Sequence, residues 1–184
     1  MLGATGAIYA IRNSLYVPGP PQVVLDDMFT PLKIIEKVYR AIFDETSRGY
    51  DKAAQSPAEE YNRKARTLYG NYQIFSILPG LFNPFQSPIA IQLFSHKFLR
   101  LMVPFFMVLL IYLNILMLDL SIYRLIFVFQ IIFYTAAFIG IFKPRLKWCY
   151  VPYVFCLLNS AALAGFFRFI GAKQESAWKK ARKQ

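Results

Sequence analysis

The sequence predicts an α+β membrane protein in which a polar first half, with short strands and helices, precedes two to three transmembrane helices. Hydrophobic residues make up 57% of the 184 residues and charged residues 17%, a balance unlike that of an ordinary soluble domain. The apolar residues are concentrated in three uncharged segments, Leu101–Leu118, Leu125–Phe142 and Trp148–Phe167. About 20 helical residues cross the ~30 Å hydrocarbon core, so each segment is long enough to span a membrane.

The net charge of +11 is distributed unevenly along the chain. Residues 101–184 contain 10 Lys and Arg but only 2 Asp and Glu, and these cations flank the apolar segments. Basic residues in such positions indicate membrane orientation and contact with anionic lipid. We favour this interpretation over nucleic-acid binding, because no group of basic and aromatic residues stands apart from the apolar segments.

The first half begins with a predicted strand at Ala7–Ile11, where β-forming apolar residues follow one another. Prolines and glycine at Val17–Pro21 predict a loop. Apolar residues at helical spacing then predict a helix over Met28–Phe43. Arg40–Asp44, at its end, could instead belong to a short strand.

A second helix is predicted to begin at Ser56, because serine followed by Pro57 and Glu59 is a typical helix start. It runs to about Leu78 and is ended by the next proline and glycine. Apolar and basic residues mix in Ile89–Arg100, as in a helix that lies at a membrane interface. The predicted organisation is a polar domain, an interfacial helix segment, a transmembrane region and a basic tail, over residues 1–80, 81–100, 101–170 and 171–184.

An acidic pair, Asp26 and Asp27, directly precedes the first predicted helix. Aspartate in this position can cap free N–H groups at the start of a helix. A carboxylate can also accept a proton from a reacting hydroxyl group. The residues alone leave both roles open, and the two roles could be divided between the two aspartates.

Two arginines, Arg63 and Arg66, lie three residues apart and therefore share one face of the second helix. Guanidinium groups bind phosphate oxygens in bidentate fashion, so the pair could hold a phosphorylated substrate. The alternative is a solvated basic face that is paired with Glu59 and Glu60.

Other reactive side chains give weaker signals. Cys149 and Cys156 are seven residues apart in an apolar segment and match no metal or redox spacing, so we interpret both as small buried hydrophobic residues. His96 has no metal-binding partner nearby in the sequence and is interpreted as part of the interfacial helix. The first residues contain no signal-peptide pattern.

Several segments together resemble the processive, membrane-embedded family-2 glycosyltransferases, a group that includes hyaluronan, cellulose and poly-N-acetylglucosamine synthases. Each segment is a weak match alone, but their order and spacing follow the family over nearly the whole chain. The matching segments are Gly3–Arg12, Leu25–Asp27, Arg63–Thr67, Ser95–Arg100 and Arg168–Gln174.

The resemblance implies that residues 1–80 are the trailing part of a GT-A-like α/β catalytic domain. It implies that Asp27, within the acidic motif it shares with Asp26, is the catalytic base. It also places Arg63 and Arg66 at the nucleotide diphosphate and the acceptor end. Thr67 stands where the family has tryptophan, so an aromatic platform for a sugar ring is absent there.

The Gly-Ala segment has its own implied role. By the resemblance, Gly3, Ala4 and Thr5 belong to a wall of small residues beside the acceptor sugar. The alternative is a tight turn before a strand.

The family's nucleotide-binding strands and metal-binding Asp-x-Asp motif would lie upstream of this segment, and this chain has no Asp-x-Asp. We therefore expect a fragment of a longer enzyme, or a first half supplied by another polypeptide. A divalent metal, Mg²⁺ or Mn²⁺, is expected in the full-length enzyme with its ligands outside this chain. The expected partners are a nucleotide-sugar donor, a glycan acceptor, the lipid bilayer and the N-terminal catalytic half, but no nucleic acid. The competing class is a small non-enzymatic membrane subunit or scaffold.

The expected location is the plasma or inner membrane of the cell, with several crossings and a cytoplasmic catalytic part. The third apolar segment differs from a simple span, because it contains Pro152 and the polar pair Asn159-Ser160. A full crossing would also carry the basic tail outside, against the positive-inside rule. We expect this segment to be re-entrant or to lie near the interface, with an ordinary crossing as the alternative.

Overall fold

The computed structural model describes residues 8–50, 56–85, 87–143 and 146–171, and this part of the chain is mostly helical. Three of its helical runs are long and apolar enough to cross a membrane, namely Ala90–Leu116, Ser121–Phe142 and Lys147–Ile170. This confirms the predicted membrane class. The helices are α1 (Asp26–Glu36), α2 (Pro57–Ile77), α3 (Ala90–Leu93), α4 (Leu99–Leu116), α5 (Ser121–Phe142) and α6 (Lys147–Ile170).

The α+β class is not confirmed, because the described residues contain no β-strand. The predicted strand at Ala7–Ile11 lies partly outside the described residues, and its remainder forms no regular strand. Arg40–Asp44 is likewise irregular. A strand is stable only when neighbouring strands pair with it, and one or two short apolar segments do not supply such neighbours.

Helix α1 ends at Glu36, seven residues before the predicted end at Phe43. The N–H of Val38 donates to the carbonyl of Ile35 at 2.9 Å, and the N–H of Tyr39 donates to Ile34 at 3.4 Å. These two bonds form a Schellman motif, whose left-handed position is taken by Val38 with φ 65°. Glycine usually occupies this position, so the sequence does not signal the end of the helix.

Helix α2 begins as its sequence predicts. The Ser56 hydroxyl oxygen accepts the N–H of Glu59 at 3.1 Å, and Pro57 is the first helical residue. The helix ends at Ile77 and is followed by a single 3₁₀ turn, Pro79–Phe82.

A hydrophobic core joins α1 to the end of α2 and to the short helix α3. Leu32 is completely buried at its centre, with Leu25 and Met28 from the start of α1, Ile74 from α2 and Leu93 from α3 around it. Burying a leucine side chain contributes about 1.5–3 kcal/mol, so this core fixes the position of α1 relative to α2.

The predicted interfacial helix runs directly into the first long helix. Helix α3 leads into a π-helical turn at Phe94–Phe98, and α4 follows without a break. A short turn after α4 then leads into α5, and the side-chain amides of Asn114 and Gln130 hydrogen-bond at 2.9 Å between the two helices. Helices α4 and α5 therefore form an antiparallel hairpin with a polar contact between its arms.

Helix α6 packs closely on two other helices through glycine. A Cβ added to Gly140 of α5 would lie 2.8 Å from the backbone oxygen of Cys149, so the first half of α6 lies against the end of α5. A Cβ added to Gly165 would lie 2.9 Å from the backbone nitrogen of Tyr69 and 3.0 Å from the oxygen of Ala65. The second half of α6 therefore lies directly on the backbone of α2.

The end of α6 also lies beside the start of α4. The Tyr72 hydroxyl donates to the carbonyl of Leu101 at 3.1 Å, and its ring lies 5.3 Å from Phe166 and 6.1 Å from Phe169. In a bundle of three successive crossings these two helix ends would lie at opposite membrane faces, about 30 Å apart. The contact with the start of α4 is the one that a re-entrant or interfacial α6 would make, whereas the packing of Phe155 on Phe133 of α5, at 5.7 Å, fits either arrangement.

We therefore expect Gly171 to lie on the same membrane face as Lys143, opposite the turn that contains Asp119. Single cysteines at these three positions, in a background with Cys149 and Cys156 replaced by alanine, can be probed with a membrane-impermeant maleimide. Gly171→Cys and Lys143→Cys should be labelled from one side of the membrane and Asp119→Cys from the other. Labelling of Gly171→Cys together with Asp119→Cys would instead indicate a third complete crossing.

Candidate functional site

The acidic pair forms the first two residues of α1, a helix whose start has no side-chain cap from its N-cap residue. The N-cap residue is Leu25, whose side chain cannot cap, and Asp26 and Asp27 follow in the first turn. Their negative charges therefore interact favourably with the helix dipole. Asp26 is exposed and Asp27 is half-buried, so the two carboxylates have different surroundings.

Side chains hold the loop that precedes the acidic pair against α2. The Gln73 amide oxygen accepts the N–H of Val24 at 3.0 Å, and its amide nitrogen donates to the carbonyl of Gln22 at 2.8 Å. The side chain of Leu25 covers Gly70, where an added Cβ would come within 2.5 Å of the leucine Cγ. One buried glutamine and one glycine of α2 therefore fix the loop that leads into Asp26.

The surroundings of Asp27 favour its protonated form. Burial raises the pKa of the Asp27 carboxyl above its usual range, and the negative charge of Asp26 raises it further. The backbone N–H groups of Met28 and Asp27 and the positive charge of Lys97 act in the opposite direction. Asp27 is therefore more basic than an ordinary aspartate, as a proton acceptor should be.

Tyr9 lies near the acidic pair. Burial raises the pKa of the Tyr9 phenol, and the charges of Asp26 and Asp27 raise it further. The same tyrosine lines a cavity of about 650 Å³ between residues 8–15, α1 and residues 39–49. Neither Asp26 nor Asp27 lines this cavity, so Tyr9 is the residue that relates it to the acidic pair.

The two arginines of α2 have different surroundings. The guanidinium group of Arg63 is 2.7 Å from the carboxylate of Glu60, and Lys64 approaches the same carboxylate at 3.5 Å. For Arg63 this agrees with the alternative given above, a solvated basic face that is paired with glutamate. Arg66 is half-buried and shares a helix face with Gly70, one turn further along, which contacts the loop before Asp26.

Lys97 was not among the predicted site residues, although its segment was part of the resemblance. It belongs to the π-helical turn at Phe94–Phe98, 70 positions from Asp27 in the sequence, and its charge acts on Asp27. The neighbouring His96 is exposed, and its Nδ1 lies 2.7 Å from the hydroxyl of Ser95, as suits an interfacial helix.

Three further predictions concern the small residues near the start of the chain, metal ligands and the two cysteines. Gly3, Ala4 and Thr5 lie outside the described residues. Within the described ranges no three His, Cys, Asp or Glu side chains come together to hold a metal ion. Cys149 and Cys156 are free thiols of intermediate exposure.

The site thus combines a basic carboxylate, a second carboxylate, a phenol and a lysine beside the helical run that enters the membrane. Such a group can accept a proton from a hydroxyl and hold a polar substrate at the membrane surface. No protein-family model matches the chain, and no curated protein or solved structure is significantly similar to it.

Proposed function

We propose that the chain is part of a membrane glycosyltransferase that transfers sugar from a nucleotide-sugar donor to a growing polysaccharide. The observation that carries this proposal is Asp27, a half-buried carboxylate with a raised pKa in the first turn of α1, directly after the loop that Gln73 holds. The resemblance of the surrounding segments to processive family-2 enzymes gives this carboxylate its role.

In the proposed reaction Asp27 takes the proton of the acceptor hydroxyl while the oxygen of that hydroxyl attacks the anomeric carbon of the donor sugar. A new glycosidic bond forms, the bond from the sugar to the diphosphate breaks, and the electron pair leaves with the diphosphate. A raised pKa helps a general base, provided that the group is still ionised at the working pH. In this proposal Arg66, one helical turn before Gly70 on α2, would bind phosphate oxygens of the donor.

The divalent metal of such an enzyme would neutralise the leaving diphosphate. The resemblance places its ligands upstream of this chain. Within the described residues no three His, Cys, Asp or Glu side chains come together, and we propose no metal ligand among them.

A scaffold without catalytic activity is the second candidate. Two features of α2 need no substrate to explain them. Arg63 forms an ion pair with Glu60, and the helix packs closely on α6. A scaffold would need α2 for packing but would not need Asp27.

Sugar transfer in membrane vesicles separates the two candidates. Two kinds of vesicle would be given radiolabelled nucleotide sugars. One contains the 184-residue chain alone, and the other contains the chain together with a nucleotide-binding half encoded upstream of it. We expect polymer-bound label only when both parts are present. A stop codon directly upstream of Met1, or no transfer from any donor by the combined protein, would favour the scaffold.

A further inference from the structure

The cavity of about 650 Å³ has three walls, formed by residues 8–15, by α1 and by residues 39–49. Binding sites for small molecules have volumes of about 300–1,000 Å³, so the cavity is large enough for a small organic molecule. Among the described residues, none of α2 and neither carboxylate of the acidic pair lines it. The cavity is therefore separate from the groups to which the proposed function assigns the base and the diphosphate.

Most of the residues that line the cavity have apolar side chains, and these come from all three walls. Ile11 lies on the first wall, Ile34 on α1 and Phe43 on the third. The side chain of Phe43 is 68% exposed, so an apolar group that enters the cavity would cover surface that now faces water. The cavity therefore favours a ligand with an apolar chain or ring.

Two arginines, Arg12 and Arg40, line the same cavity from two different walls. Both are exposed, and neither forms an ion pair with a carboxylate of the described residues. Guanidinium groups bind phosphate oxygens in bidentate fashion. Two of them in a cavity with apolar walls can hold the phosphate group of a ligand whose remainder is apolar.

Among the described residues that line the cavity, Asp44 alone is acidic. One of its oxygens accepts the N–H and the hydroxyl of Thr46 at 2.9 and 2.7 Å, and the other accepts the hydroxyl of Ser47 at 2.7 Å. These bonds hold the carboxylate in its own turn, where it neutralises neither arginine. Two arginines and one aspartate leave the lining with a net charge of +1, which suits an anion.

The position of Tyr9 indicates where that anion would bind. Burial and the charges of Asp26 and Asp27 raise the pKa of its phenol, which therefore stays neutral at physiological pH. The same two negative charges disfavour a phosphate beside Tyr9. The arginines are the favourable place for the phosphate group, and the apolar part of the ligand would lie nearer the tyrosine.

We propose that this cavity binds an organic phosphate with an apolar chain, and that Arg12 and Arg40 bind its phosphate group. The chain packs against the apolar walls. A membrane lipid with a terminal phosphate and a soluble alkyl phosphate share this chemistry. The site lies apart from the proposed donor site, so the proposal does not depend on sugar transfer.

The test is isothermal titration of octyl phosphate into the full chain in phosphatidylcholine nanodiscs, with the heat of empty nanodiscs subtracted. Inorganic phosphate lacks the apolar chain and octanol lacks the phosphate, so both should bind more weakly. Butyl phosphate should bind more weakly than octyl phosphate by about 3- to 4-fold for each methylene group that the cavity buries.

Replacement of exposed residues of the lining identifies the site without disturbing the core. Arg12→Gln and Arg40→Gln should each lower the affinity for octyl phosphate by about 10-fold or more, because a hydrogen bond between charged groups is lost. Arg48→Gln is the matched control, since Arg48 is exposed in the same segment as Arg40 and does not line the cavity. Phe43→Ser should weaken the binding of octyl phosphate and leave that of inorganic phosphate unchanged.

Equal affinities in Arg12→Gln, Arg40→Gln and Arg48→Gln would overturn the proposal, because the ligand would then respond only to the net charge of the protein. Equal affinities for octanol and octyl phosphate would overturn it as well. Displacement of octyl phosphate by uridine diphosphate would show a nucleotide site in the cavity and would contradict a separate site.

The source of the ligand is identified by changing the lipid. Nanodiscs that contain phosphatidic acid present a terminal phosphate, and nanodiscs that contain phosphatidylglycerol are an anionic control without one. Weaker binding of octyl phosphate in the first kind alone would support the site and show that a membrane lipid fills it. Equal binding in the two kinds would support a site that takes its ligand from solution.

Discussion

Replacing Asp27 with asparagine should lower sugar transfer by about 10²–10⁴-fold in the complete enzyme while the affinity for the nucleotide sugar stays the same. Asparagine has nearly the same shape but cannot accept the proton, and a general base contributes mainly in the transition state. Transfer rates in vesicles and equilibrium binding of the donor are the two measurements. Near-normal turnover in Asp27→Asn would show that Asp27 is not the catalytic base.

The same substitution should raise thermal stability at neutral pH. The folded state raises the pKa of Asp27, so the folded protein binds this proton more tightly than the unfolded chain does. Its contribution to stability is present at low pH and is lost as pH rises from the ordinary aspartate value through the raised folded pKa. An uncharged asparagine avoids that loss, so an inactive variant with a higher melting temperature cannot be explained by misfolding.

Two control variants sharpen this prediction. Asp26→Asn removes a charge that raises the pKa of Asp27, so the acid limb of the rate profile should move to lower pH. Glu36→Gln should leave transfer unchanged, because Glu36 is exposed at the other end of α1, where it pairs with Lys33 at 2.7 Å. A loss of transfer in Glu36→Gln equal to that in Asp27→Asn would mean that the assay reports the fold of the first half and not the base.

The largest expected effect on stability is at Gly165. Gly165→Leu places a branched side chain where even a Cβ would come within 3.0 Å of backbone atoms of Ala65 and Tyr69, so α2 and α6 must separate. Overpacking of this kind costs about 3 kcal/mol, which lowers the melting temperature of a chain of this size by about 6–12 °C. Thermal unfolding in detergent, followed by circular dichroism, measures the change.

A graded series tests the cause of that loss. Gly165→Ala should be intermediate, because one methyl group requires a smaller separation of the helices. Gly171→Leu should have little effect, since Gly171 is exposed directly after α6. An equal loss of stability in Gly171→Leu and Gly165→Leu would indicate a general effect of hydrophobic residues near the end of the helix.

The sequence predicts those elements whose signals are local. The three apolar segments and the Ser56 cap are found where they are predicted, because length, hydropathy and a capping motif are properties of neighbouring residues. The end of α1 is not predicted, because the left-handed position is filled by Val38 and not by glycine. The predicted strands depend on pairing partners that a single short segment does not reveal.

The candidate site shows the same division. Asp26 and Asp27 are recognisable from the sequence because they stand where a helix begins, and they are the first two residues of α1. The charge of Lys97 acts on Asp27 because Leu93 is buried in the same core as Met28, and no spacing along the chain indicates that influence. The arginine pair is ambiguous for a further reason, since a local partner, Glu60, already accounts for Arg63.

The topology expected from the contact between the end of α6 and the start of α4 has a consequence for charge at the bilayer. In that topology one membrane face carries the helix ends near Lys97, Arg100, Lys143, Lys147 and Arg168. The negative surface potential of an anionic leaflet attracts each such cation by about 1 kcal/mol and falls off within a Debye length. The nucleotide-sugar donor that we propose is an anion, so the same cations would raise its local concentration at the candidate site, and high salt would weaken that enrichment.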